Sequence, residues 1–335
     1  GIAAFPARLA YGMIGLGIFF KAEQGTDSFA IAGFAIGLNS LAGAATAGIR
    51  GSIMDRFGQK WPLRILVPGY SVLILTLNQM ETAQSILITA FVLGITAPPI
   101  NLSVRPLWKD IVPATYLRTA YAFDSAMMSS TTVVGPVVVT ALALSSRPYL
   151  ALDVAAVLML IGGFALAMTP VSRNWIPEKK IKGQERLLKS PAMRMLMFEG
   201  CFIGFGWGVF DVAVPAFATQ ENVPHRVALI FAAFGIATVI GGLLGGLVSK
   251  KLAPLLALRR AYFLWAIACL PIAFTYPDWT MALVGASIGF LGGAVQVFYF
   301  EVLEAVRPRG SQTSSLGWIW SVEGSFMAVG AAVGG

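Results

Sequence analysis

Carboxylic acids inside long apolar stretches are the side chains of this sequence best suited to chemistry. Glu323 lies in Trp-Ile-Trp-Ser-Val-Glu-Gly, where its neighbours exclude water, and no Lys or Arg occurs between 313 and 335. An acid is costly to bury in apolar surroundings, so such groups tend to mark an ion path, a proton relay or a structural pair. Glu323 is therefore the first candidate for carrying a proton, followed by Asp211 and Glu199. The alternative is a carboxyl that holds two helices together through a hydrogen bond.

Polar and aromatic side chains in the same apolar stretches are candidates for lining the path of a small molecule. Such aromatic residues more often face lipid or pack between helices. A mostly apolar pocket suits an amphipathic organic molecule or drug better than a sugar, which needs many hydrogen-bonding groups. The candidates are Asn39, Asn101, Trp207, Gln296, Tyr299, Trp318 and Trp320.

One motif could indicate an enzyme, and the sequence argues against it. Gly-Ala-Ser-Ile-Gly at 285–289 matches the nucleophile pattern of serine hydrolases. That chemistry needs a base within hydrogen-bonding reach, but the single histidine, His225, lies outside this apolar stretch. The two cysteines, Cys201 and Cys269, both fall in apolar runs and suggest neither a disulfide framework nor a metal cluster. We therefore expect no enzyme activity, no cofactor and no metal.

The composition indicates a chain that is solvated by lipid. Hydrophobic residues make up 57% of the sequence, charged residues only 12%, and the mean hydropathy is +0.75. Soluble domains carry about a quarter charged residues. The net charge of +8 comes from basic residues in the short segments between apolar runs. Because no basic patch flanked by aromatic residues occurs, a nucleic-acid partner is not expected.

Eleven apolar runs are each long enough to cross a hydrocarbon core of about 30 Å as a helix, which predicts an all-α membrane protein. Most of the 24 Lys and Arg residues lie on one set of alternating connections. The positive-inside rule places that set in the cytoplasm, for a multi-pass protein of the plasma membrane. The predicted spans are 2–20, 28–49, 62–78, 84–105, 119–144, 149–169, 193–217, 226–249, 258–275, 279–302 and 313–335.

Small residues recur at helical spacing within these spans. In lipid, small side chains let helix backbones approach closely, so we expect them to pack helices. Smooth helix faces would also let two bundles rock against each other. The residues are Gly33, Gly37, Ala44 and Gly48 in the second span, Gly200, Gly204 and Gly208 in the seventh, and Gly241, Gly242, Gly245 and Gly246 in the eighth.

The segment between the second and third spans, Gly-Ser-Ile-Met-Asp-Arg-Phe-Gly-Gln-Lys at 51–60, is the most specific motif of the chain. We expect a tight hairpin in which the two glycines allow the turn and the charged residues lie at the water interface. This pattern resembles the loop signature of the major facilitator superfamily, although Gln59 replaces the usual arginine. The signature residues are Gly51, Asp55, Arg56, Gly58 and Lys60.

The resemblance implies two six-helix bundles related by a pseudo-two-fold axis along the membrane normal. The bundles would be residues 1–170 and 191–335, joined by a cytoplasmic central loop at 171–190. A worn copy of the signature at 245–251 follows the second span of the second half. Since that half shows five spans, the chain is expected to be a fragment that lacks the twelfth helix.

The resemblance also implies how the signature works. We expect Asp55 to face Arg105 or Arg118, or the N-terminus of the last span near Thr313, whose helix dipole favours an anion. In the superfamily this contact closes the cytoplasmic side, so Arg105 is assigned to the same gate.

A buried ion pair between Arg8 and Asp124 is expected on similar grounds. The two residues lie at about the same depth in the first and fifth spans, and these two helices are neighbours in the superfamily fold. The fold also places Glu199, Asp211 and Glu323 on helices that form the cavity.

The function implied is secondary transport by alternating access. Gly-Pro at 135–136 in the fifth span is part of a signature found in exporters of the superfamily, which favours export. Because the sequence has no nucleotide-binding glycine loop and its spans contain carboxyl groups, we expect a proton gradient to drive export through an antiporter. The expected partners of this monomeric protein are a small-molecule substrate, protons and the lipid bilayer. Two alternatives are a metabolite uptake symporter or facilitator, and a transport-inactive membrane receptor or scaffold with the same fold.

Overall fold

The computed structural model describes residues 1–179, 186–248 and 253–334, and every regular element in these ranges is helical. Ten helical segments are long and apolar enough to cross a membrane. This confirms the prediction of an all-α membrane protein. The remaining predicted span, 62–78, is also a helix, and Lys60 and Arg64 lower its hydropathy.

The bounds of the helices differ from the predicted spans mainly at the second and fourth spans. The helices are α1 (Phe5–Thr26), α2 (Phe29–Phe57), α3 (Lys60–Asn78), α4 (Ala83–Thr96), α5 (Ile100–Ile111), α6 (Leu117–Ala143), α7 (Leu150–Met168), α8 (Pro170–Arg173), α9 (Pro191–Gln220), α10 (Val227–Leu247), α11 (Pro254–Cys269), α12 (Trp279–Val306) and α13 (Gln312–Gly334).

The predicted fourth span is broken into α4 and α5 by Pro98 and Pro99. Proline lacks a backbone N–H and its ring clashes with the preceding turn, so a pair of prolines interrupts the helical hydrogen bonds. The carbonyl groups of Ala97 and Pro98 are thereby released from the helix and can accept hydrogen bonds from side chains.

The chain forms two compact units. Unit 1 contains Gly1–Leu107, Thr131–Gly204 and Pro308–Ala328, and unit 2 contains Trp108–Ser130, Phe205–Arg307 and Val329–Gly335. Each unit therefore combines segments from both halves of the sequence. The division into bundles of residues 1–170 and 191–335, and their symmetry, stay predictions.

In unit 1, α7 packs against α1 and α3, and α2 packs against α1 and α4. Glycines make the contacts of α7 close. A Cβ atom on Gly162 would collide with the backbone nitrogen of Ala7, and one on Gly163 would lie 2.7 Å from the side chain of Val67. The small residues of α7 thus let its backbone approach the backbone of α1 and the Val67 side chain of α3.

In unit 2, α10 packs against α12 along the predicted glycine face. A Cβ atom on Gly241 would collide with the carbonyl of Phe290. The packing prediction is thus confirmed for α10. It is wrong for Gly33 and Gly37 of α2, since a Cβ atom on either would meet no atom within 4 Å.

Candidate functional site

The signature aspartate binds the N-terminus of α13. Asp55 is 8% exposed, and its Oδ1 accepts a hydrogen bond of 2.9 Å from the backbone N–H of Thr313. Its Oδ2 accepts bonds from the backbone N–H (2.7 Å) and the hydroxyl (2.6 Å) of Ser314. We call these three bonds the α13 cap. A helix N-terminus leaves N–H groups without intrahelical partners and carries partial positive charge, so a buried carboxylate is stabilised there.

The α13 cap confirms one of the three contacts that the sequence suggested for Asp55. The expectation that Asp55 lies at the water interface is wrong, because α2 continues through Phe57 and buries it. Arg56 is exposed, and Lys60 is half-buried at the start of α3. The chain turns at Gly58, whose φ of +75° is in the left-handed region that glycine tolerates.

Gly51 has a different role from the one predicted. It lies inside α2 rather than in a turn. A Cβ atom there would lie 2.6 Å from the carbonyl oxygen of Thr313, and one on Gly317 would lie 2.5 Å from that of Ala47. The absence of a side chain at Gly51 and Gly317 therefore brings the backbones of α2 and α13 together.

Two further residues near the signature complete this region of unit 1. Glu178, from the central loop that was expected to be a solvated linker, accepts hydrogen bonds from the backbone of Gly310 (3.2 Å) and from the amide of Gln312 (2.7 Å). Gln59 is fully buried and donates to the Ser103 carbonyl at 2.9 Å, and it accepts from the hydroxyl of Ser172. An arginine at this position would bury a charge, which explains the departure from the signature.

Two of the three proton-coupling candidates lie together in unit 1. Glu323, on α13, is half-buried, and the charges of Glu199 and Arg105 act on it. Gly200 and Gly204 of α9 make room for it, since a Cβ atom on Gly200 would lie 3.2 Å from the Glu323 Cγ atom. The charge of Arg105 thus acts on this carboxyl, and its assignment to the gate with Asp55 stays a prediction.

The remaining charged candidates are Asp211, Arg8 and Asp124. Asp211 belongs to unit 2 and its side chain is exposed. Arg8 and Asp124 are both buried, at 1% and 0% exposure. Their pairing stays a prediction.

Unit 2 contains an ion-pair network that the sequence analysis missed. The guanidinium of Arg118 donates two hydrogen bonds of 2.6 Å to the carboxylate of Glu301 and a third, of 2.5 Å, to the carbonyl of Val248. Lys109 pairs with Glu304 in the same unit. Val248 follows α10, where the worn copy of the signature lies, and residues 249–251 of that copy fall outside the described residues. The charges were visible in the sequence, but their partners lie far away along the chain.

A cavity of about 310 Å³ lies within unit 1, and we call it the Arg50 cavity. It brings together three of the predicted path residues, Asn39, Asn101 and Trp320, with Tyr11 and Arg50. Arg50 was expected at the start of a cytoplasmic loop, and this is wrong because α2 extends past it to Phe57. A signal for it exists in the sequence, since 39, 43, 47 and 50 fall on one helix face.

The other predicted path residues lie elsewhere. Trp318 packs against Gly48, where an added Cβ atom would collide with the indole ring. Trp207 packs against aromatic rings of unit 2, and its ring centre lies 5.9 Å from that of Trp265. Gln296 is half-buried and Tyr299 is buried on α12, also in unit 2. The hydroxyl of Ser287 donates to the carbonyl of its own helix at Leu283, as an ordinary helical serine does.

Comparisons with known proteins agree with this architecture. The family model of the Major Facilitator Superfamily matches residues 1–331. The uncharacterized MFS-type transporter y4rN of Sinorhizobium fredii (strain NBRC 101917 / NGR234) is 25% identical over 352 residues, which cover 99% of this chain and 85% of that protein.

Solved structures show the same fold at low identity. The human organic anion transporter MFSD10 (TETRAN) has a TM-score of 0.74 at 15% identity, covering 99% of this chain and 90% of its own. The fucose:proton symporter FucP of E. coli has a TM-score of 0.69 at 13% identity, with 98% and 87% covered. A bacterial homologue of the iron transporter ferroportin, in its outward-facing state, has a TM-score of 0.71 at 13% identity, with 98% and 91% covered.

Proposed function

The chain belongs to the major facilitator superfamily, and from that membership we propose that it exports small amphipathic organic molecules in exchange for protons, by alternating access. Membership indicates a transporter rather than an enzyme. The observation that supports proton coupling is the cluster of Glu199, Glu323 and Arg105 within membrane-spanning helices of unit 1. Intramembrane carboxyls of this kind serve as proton relays in transporters.

Glu323 carries the proton in this proposal. Because the charge of Glu199 acts on Glu323, uptake or release of a proton by one carboxyl changes the field at the other. Arg105 supplies a nearby positive charge that persists through the cycle.

The α13 cap supplies the mechanical connection. Thr313 and Glu323 lie on one continuous helix, about 15 Å apart at 1.5 Å per residue. Opening of the contact between α2 and α13 frees the N–H groups held by Asp55 and shifts the helix that carries Glu323. Closure of this contact and the protonation state of Glu323 are therefore coupled through α13.

The positive-inside rule orients the transporter with the α13 cap on the cytoplasmic side of the plasma membrane. The cap closes that side when its three hydrogen bonds are formed. An uptake symporter would use the same gate but move substrate and proton in the same direction, and a facilitator would use it without a coupled ion. A receptor or scaffold would keep the α13 cap but would not open and close it.

Accumulation in everted membrane vesicles tests the proposal. With an acidic interior, the protein should concentrate an amphipathic probe in the lumen as protons leave, and nigericin should abolish the effect. The probes are ethidium, 4-aminohippurate and chloramphenicol, which differ in charge. Absence of gradient-dependent accumulation for all three, with the protein present in the membrane, would contradict proton-coupled export. Accumulation that persists without a gradient would indicate a facilitator.

The role of Glu323 is tested in the same vesicles. Glu323→Gln keeps the shape and hydrogen bonding of the side chain but cannot titrate. It should still exchange labelled for unlabelled probe and lose accumulation driven by the pH gradient. Glu81→Gln, at an exposed acid between α3 and α4, is the control and should behave as the unmodified protein. Normal gradient-driven accumulation in Glu323→Gln would contradict Glu323 as the proton carrier and make Asp211 the next candidate.

A further inference from the structure

The Arg50 cavity contains a guanidinium that no residue in the described part of the chain neutralises. Arg50 donates from Nη1 to the carbonyl of Ala97 and from Nη2 to that of Gly43, and both acceptors are neutral. Its Nε atom is buried and has no acceptor within the described part of the chain. Within the same residues, no carboxylate lies within ion-pairing distance of Arg50. Arg50 as a whole is half-buried. A cation that is partly withdrawn from water without a counter-ion is costly, and a bound anion would lower that cost.

The proline break fixes the cation at the cavity wall. Because Pro98 and Pro99 interrupt the helix, the carbonyl of Ala97 is free to hold Arg50, and that of Pro98 holds the hydroxyl of Tyr11. Asn39 is held in turn by the carbonyl of Ala90, at 2.9 Å. The polar groups of the cavity are thus positioned before any ligand enters, which lowers the entropy lost on binding.

The other residues that line the cavity determine what uncharged part a ligand can have. Tyr11, Tyr70 and Trp320 contribute aromatic rings, and small residues including Gly15 leave space between them. Asn101 also lines the cavity, and its Oδ1 atom is buried without a donor in the described ranges. The volume of about 310 Å³ lies at the lower end of ligand cavities, which run from roughly 300 to 1,000 Å³.

We propose that the Arg50 cavity binds small aromatic carboxylates, with the carboxylate on Arg50 and the ring against Trp320 and Tyr11. This identifies the charge class of the substrate and rests on the proposed transport function for its physiological meaning. One arginine in the lining matches one monovalent anion, since a guanidinium presents a planar fork of donors to a carboxylate. A phosphate ester would bring a second charge for which the cavity has no second cation among its described lining residues.

Equilibrium binding to the purified protein in nanodiscs tests the proposal. The probes are benzoate and benzamide, which have nearly the same size and differ in charge. The unmodified protein should bind benzoate at least about tenfold more tightly than benzamide. Arg50→Gln should reduce benzoate affinity to the level of benzamide and leave benzamide binding unchanged. Arg50→Lys should keep part of the preference, and Arg194→Gln, at an exposed arginine of α9, should keep all of it.

Arg50 also joins α2 to the break after α4, so Arg50→Gln could disturb folding. A second variant therefore tests the cavity without changing Arg50. Gly15→Leu retains Arg50, and a Cβ atom at Gly15 meets no atom within 4 Å. The leucine should fill the cavity and weaken benzoate binding at least about tenfold without lowering the melting temperature. Equal affinity for benzoate and benzamide in the unmodified protein, a preference that survives Arg50→Gln, or unchanged benzoate affinity in Gly15→Leu would overturn the proposal.

The binding result is separable from the transport result. Arg50-dependent binding of benzoate with no gradient-driven accumulation in vesicles would keep the site and reject proton-coupled export. Accumulation of ethidium or chloramphenicol, without carboxylate preference in binding, would keep export and reject the anion site.

Discussion

The two units of the protein join distant parts of the chain by different chemistry. In unit 1 one carboxylate, Asp55, meets neutral N–H groups and a hydroxyl at the start of α13. In unit 2 two full opposite charges, Arg118 and Glu301, meet side chain to side chain. The first contact depends on the position of a backbone, and the second depends on a pair of side chains. Only the Arg118–Glu301 contact can therefore be restored by swapping its two residues.

The difference extends to how each contact is shielded. Asp55 is 8% exposed and is bound where the backbones of α2 and α13 touch at Gly51. Glu301 is 15% exposed, and the neighbouring pair of Lys109 and Glu304 is nearly one-third exposed. Salt screens exposed charges more than buried ones, so the contacts of unit 2 should weaken more at high ionic strength.

The largest effect is expected from forcing α2 and α13 apart. Gly51→Leu places a side chain where a Cβ atom already lies 2.6 Å from the backbone of Thr313. The α13 cap should be lost, with transport in vesicles reduced at least about tenfold, and overpacking should add roughly 1–3 kcal/mol to the cost of the lost cap bonds. Gly37→Leu is the matched control on the same helix, since a Cβ atom there meets open space. Equal loss in both variants would show that bulk alone, rather than the contact, is responsible.

The next effect is expected from removing the carboxylate. Asp55→Ala leaves the buried N–H groups of Thr313 and Ser314 without their acceptor, at a cost of roughly 1–3 kcal/mol for each group. Asp55→Asn keeps an acceptor but loses the charge, and should fall between Asp55→Ala and the unmodified protein. Transport rate and protein abundance in the membrane should be measured together. Full transport in Asp55→Asn, with normal abundance, would show that the function of the cap does not need the charge of Asp55.

Charge exchange distinguishes the two units. Arg118→Glu and Glu301→Arg should each lower the melting temperature, and the double variant should recover part of the loss, with a coupling energy of roughly 1–3 kcal/mol. The carbonyl of Val248 loses its donor in Arg118→Glu, so recovery should be incomplete. Strict additivity of the two single changes would show that Arg118 and Glu301 do not stabilise each other.

The smallest effect is expected at the more exposed pair. Lys109→Met removes a partner of Glu304, which keeps Arg307 as a second partner. A pair that is about one-third exposed contributes at most about 1 kcal/mol, so the melting temperature should change little and the change should vanish at high salt. A loss as large as that of Arg118→Glu would contradict the difference in exposure between the two pairs.

The sequence predicted the helices, and it offered the N-terminus of α13 as one of three partners for Asp55, for physical reasons. Apolar length determines which segments cross a membrane, and a helix N-terminus attracts a carboxylate wherever it lies. It did not predict that α2 continues through Phe57, because glycine and charge at 51–56 are typical of a turn. Because the second span was predicted to end at 49, Arg50 was assigned to a loop and the Arg50 cavity was not predicted.

Other parts of the site depend on which helices are neighbours. The bonds of Arg118 with Glu301, and of Glu178 with the start of α13, join residues more than a hundred positions apart. Periodicity and hydropathy carry no information about such pairs. The cluster of Glu199, Glu323 and Arg105 was likewise visible only as three separate residues.

The glycine contact between α2 and α13 has a consequence for how fast these two helices can separate and close again. Where Gly51 meets Thr313 and Gly317 meets Ala47, backbone touches backbone and the glycines carry no side chain to order. Ordering a long side chain costs up to about 2 kcal/mol of conformational entropy, and glycine has none to lose. Separation and reclosure at these two points therefore involve no search among rotamers. We expect the activation entropy of closure to be small, so that the rate follows the motion of whole helices on the microsecond-to-millisecond scale.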